Sequence, residues 1–139
     1  MCRRGTRLDF LSEMHEDLIN AFRSVMLESK TVMRINELCE ATVNRPAKRF
    51  YISTMQAYKV IARMRKGDLS CLDRMPSYRK EMFHEMNRLV GEKITRFEFA
   101  SKPLLFVVSH VVGMEAPRFY VSAETMRKLY YSRKRRRKK

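Results

Sequence analysis

A chain of 139 residues has room for one domain or two very small ones, and a hydrophobic share of 45% is ordinary for a folded protein. Thirty Lys and Arg against fifteen Asp and Glu give a net charge of +15, far from what a neutral metabolic enzyme needs. That charge points to a polyanion partner, nucleic acid ahead of an anionic membrane surface. Residues 133–139 are all basic and carry +7, so the chain up to Ser132 keeps +8. The body is therefore basic as well as the tail.

Cys2, Cys39 and Cys71 are odd in number and lack C-x-x-C spacing, which argues against a disulfide framework and a zinc ribbon and favours a reducing cytoplasm. No apolar run approaches the roughly 18 residues of a membrane span. The stretch GTRLDFLSEMHED is too charged for the core of a signal peptide. The expectation is a soluble, cytoplasmic protein without a membrane partner.

Apolar residues recur at i, i+3, i+4 and i+7 along much of the chain, the stripe of an amphipathic helix. The first helix is expected from about Asp9 to Glu28 and the second near Val32 to Val43, after a short connection through Ser29, Lys30 and Thr31. Asn44, Arg45 and Pro46 break the pattern, because the residue before a proline is pushed out of the helical region. The phrase AKRFYIS follows, with Ser53 placed to cap a third helix over Thr54 to Lys66. Gly67 suits the left-handed position just beyond it. Residues 68–77, with Pro76, form a linker.

The phrase then returns as APRFYVS, starting at Ala116, 69 positions after Ala47. The same offset pairs His15 with His84, Val43 with Val112, Phe50 with Phe119, Tyr51 with Tyr120 and Lys59 with Lys128, and it superposes apolar positions along both halves. Helices are expected again from about Tyr78 to Phe97, from Pro103 to Val112, and from Ala123 into the tail. The segment LLFVVSHVV is ambiguous: short and rich in β-branched residues, it reads locally as a buried strand. Its partner INELCEATV is the better helix former, and Ser101 with Pro103 resembles a helix start, so a helix is expected. The fold expected is all-α, a tandem duplication of a three-helix, helix-turn-helix-like unit with a disordered basic C-terminal tail. Its parts are residues 9–67, the linker 68–77, residues 78–132 and the tail 133–139.

In an extended R-F-Y-[IV]-S the Phe and the Ile or Val face one way and the Tyr the other. Phe50 and Phe119 then anchor the connector in the core, while Arg49, Tyr51, Arg118 and Tyr120 face outward as charge and ring for nucleic acid. The third helix is the sharper candidate. Its apolar face takes Ala57, Val60, Ile61 and Met64, leaving Gln56, Lys59, Arg63 and Lys66 opposite. The second copy offers Thr125, Lys128 and Arg135 at matching positions, with Arg127 beside them. A basic helix preceded by a helix and a turn is how helix-turn-helix domains address the major groove, although about ten residues join the two helices here instead of three or four. Arg133, Lys134, Arg135, Arg136, Arg137, Lys138 and Lys139 add strong polyanion affinity without sequence preference.

Catalysis has no support. Neither G-x-x-x-x-G-K-[ST] nor G-x-G-x-x-G occurs. His15, His84 and His110 lack H-E-x-x-H or C-x-x-C company, so neither a metal nor a cofactor is expected, and His15 and His84 read as surface residues. The phrase P-A-x-R-F-Y-[IV]-S, before an amphipathic helix and an M-x-K-G-D turn, resembles a family of small basic bacterial proteins with no assigned activity. The resemblance spans RPAKRFYISTMQAYKVIARMRKGD and its weaker copy near APRFYVS, and implies a bacterial, intracellular origin. The reading is non-enzymatic nucleic-acid binding, with double-stranded DNA first and structured or ribosomal RNA second. A protein-interaction or virion-structural module with a charge-neutralising tail is the alternative of another class. The intramolecular repeat is able to stand in for a homodimer; oligomeric state is left open.

Overall fold

The computed structural model describes the backbone of residues 2–137 and the side chains of residues 10–134. It is all-α, with no strand among the described residues. In chain order the helices are α1 (Cys2–Glu28), α2 (Ile35–Val43), α3 (Thr54–Arg65), α4 (Ser77–Ile94), α5 (Leu104–Val112) and α6 (Ala123–Arg137). Single 3-10 turns lie at Ser70–Leu72 and Phe97–Phe99.

Local chemistry sets most of the boundaries. The Ser53 hydroxyl accepts from the Gln56 N–H at 3.2 Å, capping α3. Ser122 does the same for α6 through the Thr125 N–H at 3.1 Å. At the other end of α3, Gly67 has φ +90°. The Gly67 N–H donates to the Met64 carbonyl and the Asp68 N–H to that of Arg63, both at 3.0 Å. This is a Schellman ending, which needs the left-handed residue that glycine supplies without strain. The Glu37 carboxylate accepts from the Arg34 N–H at the start of α2.

LLFVVSHVV is helical, as its partner segment INELCEATV leads one to expect: Val107, Val108, Val111 and Val112 are buried while Leu105, Phe106, Ser109 and His110 are exposed, a helical period and not an alternation of two. Several other expectations are corrected. α1 begins seven residues before Asp9 and α2 begins at Ile35, three residues after Val32. α4 ends at Ile94, with Phe97 in the 3-10 turn beyond it. His84 is exposed but His15 is half-buried. The expected disordered arm from Arg133 instead continues α6 as helix to Arg137. Two contacts hold its start: Arg133 pairs with Glu16 of α1 at 2.7 Å, and Tyr130 lies 4.8 Å from Phe22 between ring centroids. Lys138 and Lys139 lie outside the described residues, as do the side chains of Arg135, Arg136 and Arg137.

The core is one continuous cluster that draws on all six helices and both connectors. Its packing crosses the halves of the sequence. α3 packs on α5 and α4, while α6 packs on α2 and, less extensively, on α1. Each third helix thus leaves the two helices before it and lies on the other half. The connectors make this exchange. Ala47 and Ala116 form an antiparallel bridge, the Phe50 N–H donates to the Val112 carbonyl at 3.2 Å, and the Phe119 N–H donates to that of Val43 at 2.9 Å. The rings cross-stack too, Phe50 on Tyr120 and Tyr51 on Phe119, each pair with centroids 6.0 Å apart. Every one of these contacts has its counterpart 69 positions along the chain, so the two connectors meet about an approximate two-fold axis between Ala47 and Ala116.

Candidate nucleic-acid interface and central groove

Two regions collect the basic residues singled out in the sequence. The first is the outer face of α3. Ala57, Ile61 and Met64 are buried there, while Gln56, Lys59, Arg63 and Lys66 are exposed. The helix keeps its apolar stripe on α5 and α4 and its charges in solvent, as the 3.6-residue period requires. Arg63 is partly committed, its Nε lying 3.5 Å from Asp68. Arg65, not singled out in the sequence, is also exposed and donates to the Asn87 amide oxygen at 3.3 Å. On α6, Met126 is buried, Lys128 and Lys134 are exposed, and Arg127 and Thr125 are half-buried. Arg133 is tied to Glu16, so its charge is shared with α1.

The second region is a groove of about 560 Å³ where the two connectors meet. Arg49, Tyr51, Arg118 and Tyr120 all line it, and so do Gln56 and Thr125 in the first turns of α3 and α6. The sequence predicts that the Arg and Tyr pairs share a surface, and they do. The tyrosines, however, are half-buried and not free platforms. The Tyr51 ring lies on Phe119, and its hydroxyl donates to the Asp17 carboxylate at 2.5 Å. Burial first, and then this bond, pushes the Tyr51 phenol well above its ordinary pKa, so it remains a neutral donor. Tyr120 lies on Phe50, and its phenol is also raised, chiefly by burial and then by Glu85.

Two helices with no binding residue singled out in the sequence complete the walls. α1 contributes Phe10, Leu11 and Met14, and α4 contributes Tyr78, Arg79 and Met82. The Arg49 guanidinium sits 4.3 Å from the centroid of the Phe10 ring, and its Nε–H donates to the Phe50 carbonyl at 3.3 Å. Arg118 lies 3.4 Å from the Glu81 carboxylate and 5.8 Å from the Tyr120 centroid. Its Nε is buried without a hydrogen-bond partner. Neither Phe10 nor Arg79 carries a motif, and only folding places them on the same groove as Arg49 and Arg118.

Among the described residues no group of three or more His, Cys, Asp or Glu comes together to hold a metal ion. Burial pushes the Cys39 thiol up, away from thiolate reactivity. No described helix is long and apolar enough to cross a membrane. No protein-family model, curated protein or solved structure matches the chain.

Proposed function

We propose that this chain is a non-enzymatic nucleic-acid-binding protein that takes double-stranded DNA through the outer faces of α3 and α6, with the basic C-terminal residues adding sequence-independent affinity. The observation that carries the reading is the clean division of α3, three buried apolar side chains on one face and Gln56, Lys59, Arg63 and Lys66 exposed on the other. A solvent-facing basic helix of 12 residues has the dimensions of an element that enters the major groove. The net charge of +15 supplies the electrostatic part.

The same reading takes the chain as an internal duplication, supported by backbone and ring contacts that recur when each residue is exchanged for its counterpart 69 positions away. Two related basic helices on one chain give two backbone contacts without a second subunit. The resemblance to helix-turn-helix domains is limited to presentation of a third helix. In space α3 packs on α5, and α6 on α2, so the helix that supports each third helix belongs to the other half.

The test is a titration of duplex DNA and structured RNA across salt with the full chain, a chain ending at Lys134, and Lys59→Glu/Arg63→Glu. The shortened chain keeps the Arg133–Glu16 pair. The double reversal is expected to weaken duplex binding about tenfold or more and to lower the salt slope, while the shortened chain retains weaker, salt-sensitive binding. Loss of all binding on shortening would mean that α3 is not the contact surface and would favour an interaction module. Tighter binding to structured RNA than to duplex would move the reading to RNA.

A further inference from the structure

Among the described residues, the three most exposed large hydrophobic side chains are Leu27 at 87%, Phe97 at 94% and Val32, which is fully exposed. All three sit at just two connections. Leu27 and Val32 flank the turn from α1 into α2, and Phe97 lies in the 3-10 turn between α4 and α5. Single apolar residues scattered on a surface are ordinary, but these have company. Met26 is exposed beside Leu27, and Leu105 and Phe106 are exposed on the outer face of α5. Folding leaves an apolar patch in solvent at each connection.

The two ends differ in charge. Residues 9–43 hold seven Asp and Glu against three Lys and Arg, net −4, so within the total of +15 the rest of the chain carries +19. On the outer face of α2, Glu37 and Glu40 are exposed and belong to no ion pair among the described residues, with Lys30 and Arg34 in the connection before them. Around Phe97 the balance reverses. Arg96 is exposed, Lys93 Nζ lies 5.1 Å from the Phe99 centroid, and Lys102 Nζ lies 5.3 Å from that of Phe106. None of these three is ion-paired among the described residues. Glu98 is the only acid between residues 93 and 110, and Glu92 is held by Arg88. Phe106 and His110 lie 4.8 Å apart between centroids and both pack on the buried Phe99, so the second end is an aromatic ledge with a basic rim.

We propose that the α1–α2 end of one copy of this chain docks on the α4–α5 end of the next, setting Leu27 and Val32 against Phe97 and Phe106, and Glu37 and Glu40 against Arg96 and Lys102. Covering the apolar side chains takes them out of water, and each charge set meets its opposite on the other end. Two like ends would instead bring together Lys93, Arg96 and Lys102 of both copies, or Glu37 and Glu40 of both, and like charges across a contact disfavour it. The second copy is the occupant because the chain itself carries both complementary surfaces. Since the two ends are different, each docking event leaves one of each kind free, and association continues to trimers and beyond as a closed ring or an open row. The contact uses no residue of α3 or α6 and does not rest on nucleic-acid binding.

The experiment is sedimentation velocity of the full chain, freed of nucleic acid, over a concentration series at about 0.15 M salt to screen the repulsion between basic copies. The parent is expected to pass from monomer through dimer to larger species as its concentration rises. Leu27→Arg/Val32→Arg sets positive charge against the basic end, and Phe97→Gln/Lys102→Gln removes a ring and a charge from that end. Each double variant is expected to weaken self-association about tenfold or more. All four positions are exposed, so both variants are expected to fold as the parent does, which their melting curves check. Mixed in equal amounts, the variants keep one intact end of each kind and are expected to form a dimer and nothing larger. A parent that stays monomeric at about 1 mM overturns the proposal, as does a parent that stops at a dimer. Association of either variant as strong as the parent's, or a mixture that remains monomeric, overturns it too.

Discussion

The backbones of Ala47 and Ala116 bond to each other in both directions, each N–H donating to the other's carbonyl at 2.9 Å. Both residues are about 99% buried, at 2% and 1% exposure. A bridge between equivalent positions of two connectors requires the chains to run antiparallel through a common point, with no space for a longer side chain. Ala116→Leu forces three extra carbons into this junction and is expected to cost about 1–3 kcal/mol. Pro117→Ala, next to it and exposed, is expected to stay within about 0.5 kcal/mol. Urea unfolding of the two variants makes the comparison; equal midpoints would remove the junction from its structural role.

The caps of α3 and α6 supply a second expectation. Ser53 and Ser122 each satisfy one N–H at the start of a third helix. Ser53→Ala and Ser122→Ala are each expected to lower stability by about 1 kcal/mol. The two bonds share no partner, so the double variant should lose about the sum. A double variant no less stable than the singles would show that the helix starts are held by the connectors alone.

A pH dependence follows from His15. Burial, and after it the charge of Arg133, lowers its pKa below the ordinary 6.5. The folded state therefore binds a proton less readily than the unfolded one, and stability falls as pH drops below about 6.5. Arg133, whose charge acts on His15, is also paired with Glu16 between α6 and α1. His15→Gln is expected to flatten the loss of stability between pH 7 and 5, read as urea midpoints at the two pH values.

Much of the local structure was legible in the sequence. The six helices follow from the spacing of apolar residues, and Ser53, Ser122 and Gly67 mark ends that the hydrogen bonds reproduce. The division of α3 into buried Ala57, Ile61 and Met64 and exposed Lys59, Arg63 and Lys66 follows from the period alone. LLFVVSHVV was harder, because four valines favour a strand by propensity and tertiary burial of one helical face decides against it.

The candidate site was legible only in part. Arg49, Tyr51, Arg118 and Tyr120 stand out because the phrase repeats, and they do gather in one groove. That Tyr51 spends its ring face on Phe119 and Tyr120 on Phe50 is a contact between distant connectors, with no trace in local pattern. Phe10 and Arg79 read as ordinary positions near helix starts. Their chemistry exists only because α1 and α4 flank the crossing connectors.

By itself the sequence determined the class of fold, most of the helix ends and the face of each helix that is buried, since all three rest on short-range periodicity and backbone chemistry. The tertiary structure alone decided that α3 lies on α5, that α6 lies on α2, and that the connectors enclose an uneven groove. The physical reason is that an apolar stripe specifies burial but not its partner. The bridge at Ala47 and Ala116, with the stacked rings beside it, turns α3 toward α5 and α6 toward α2.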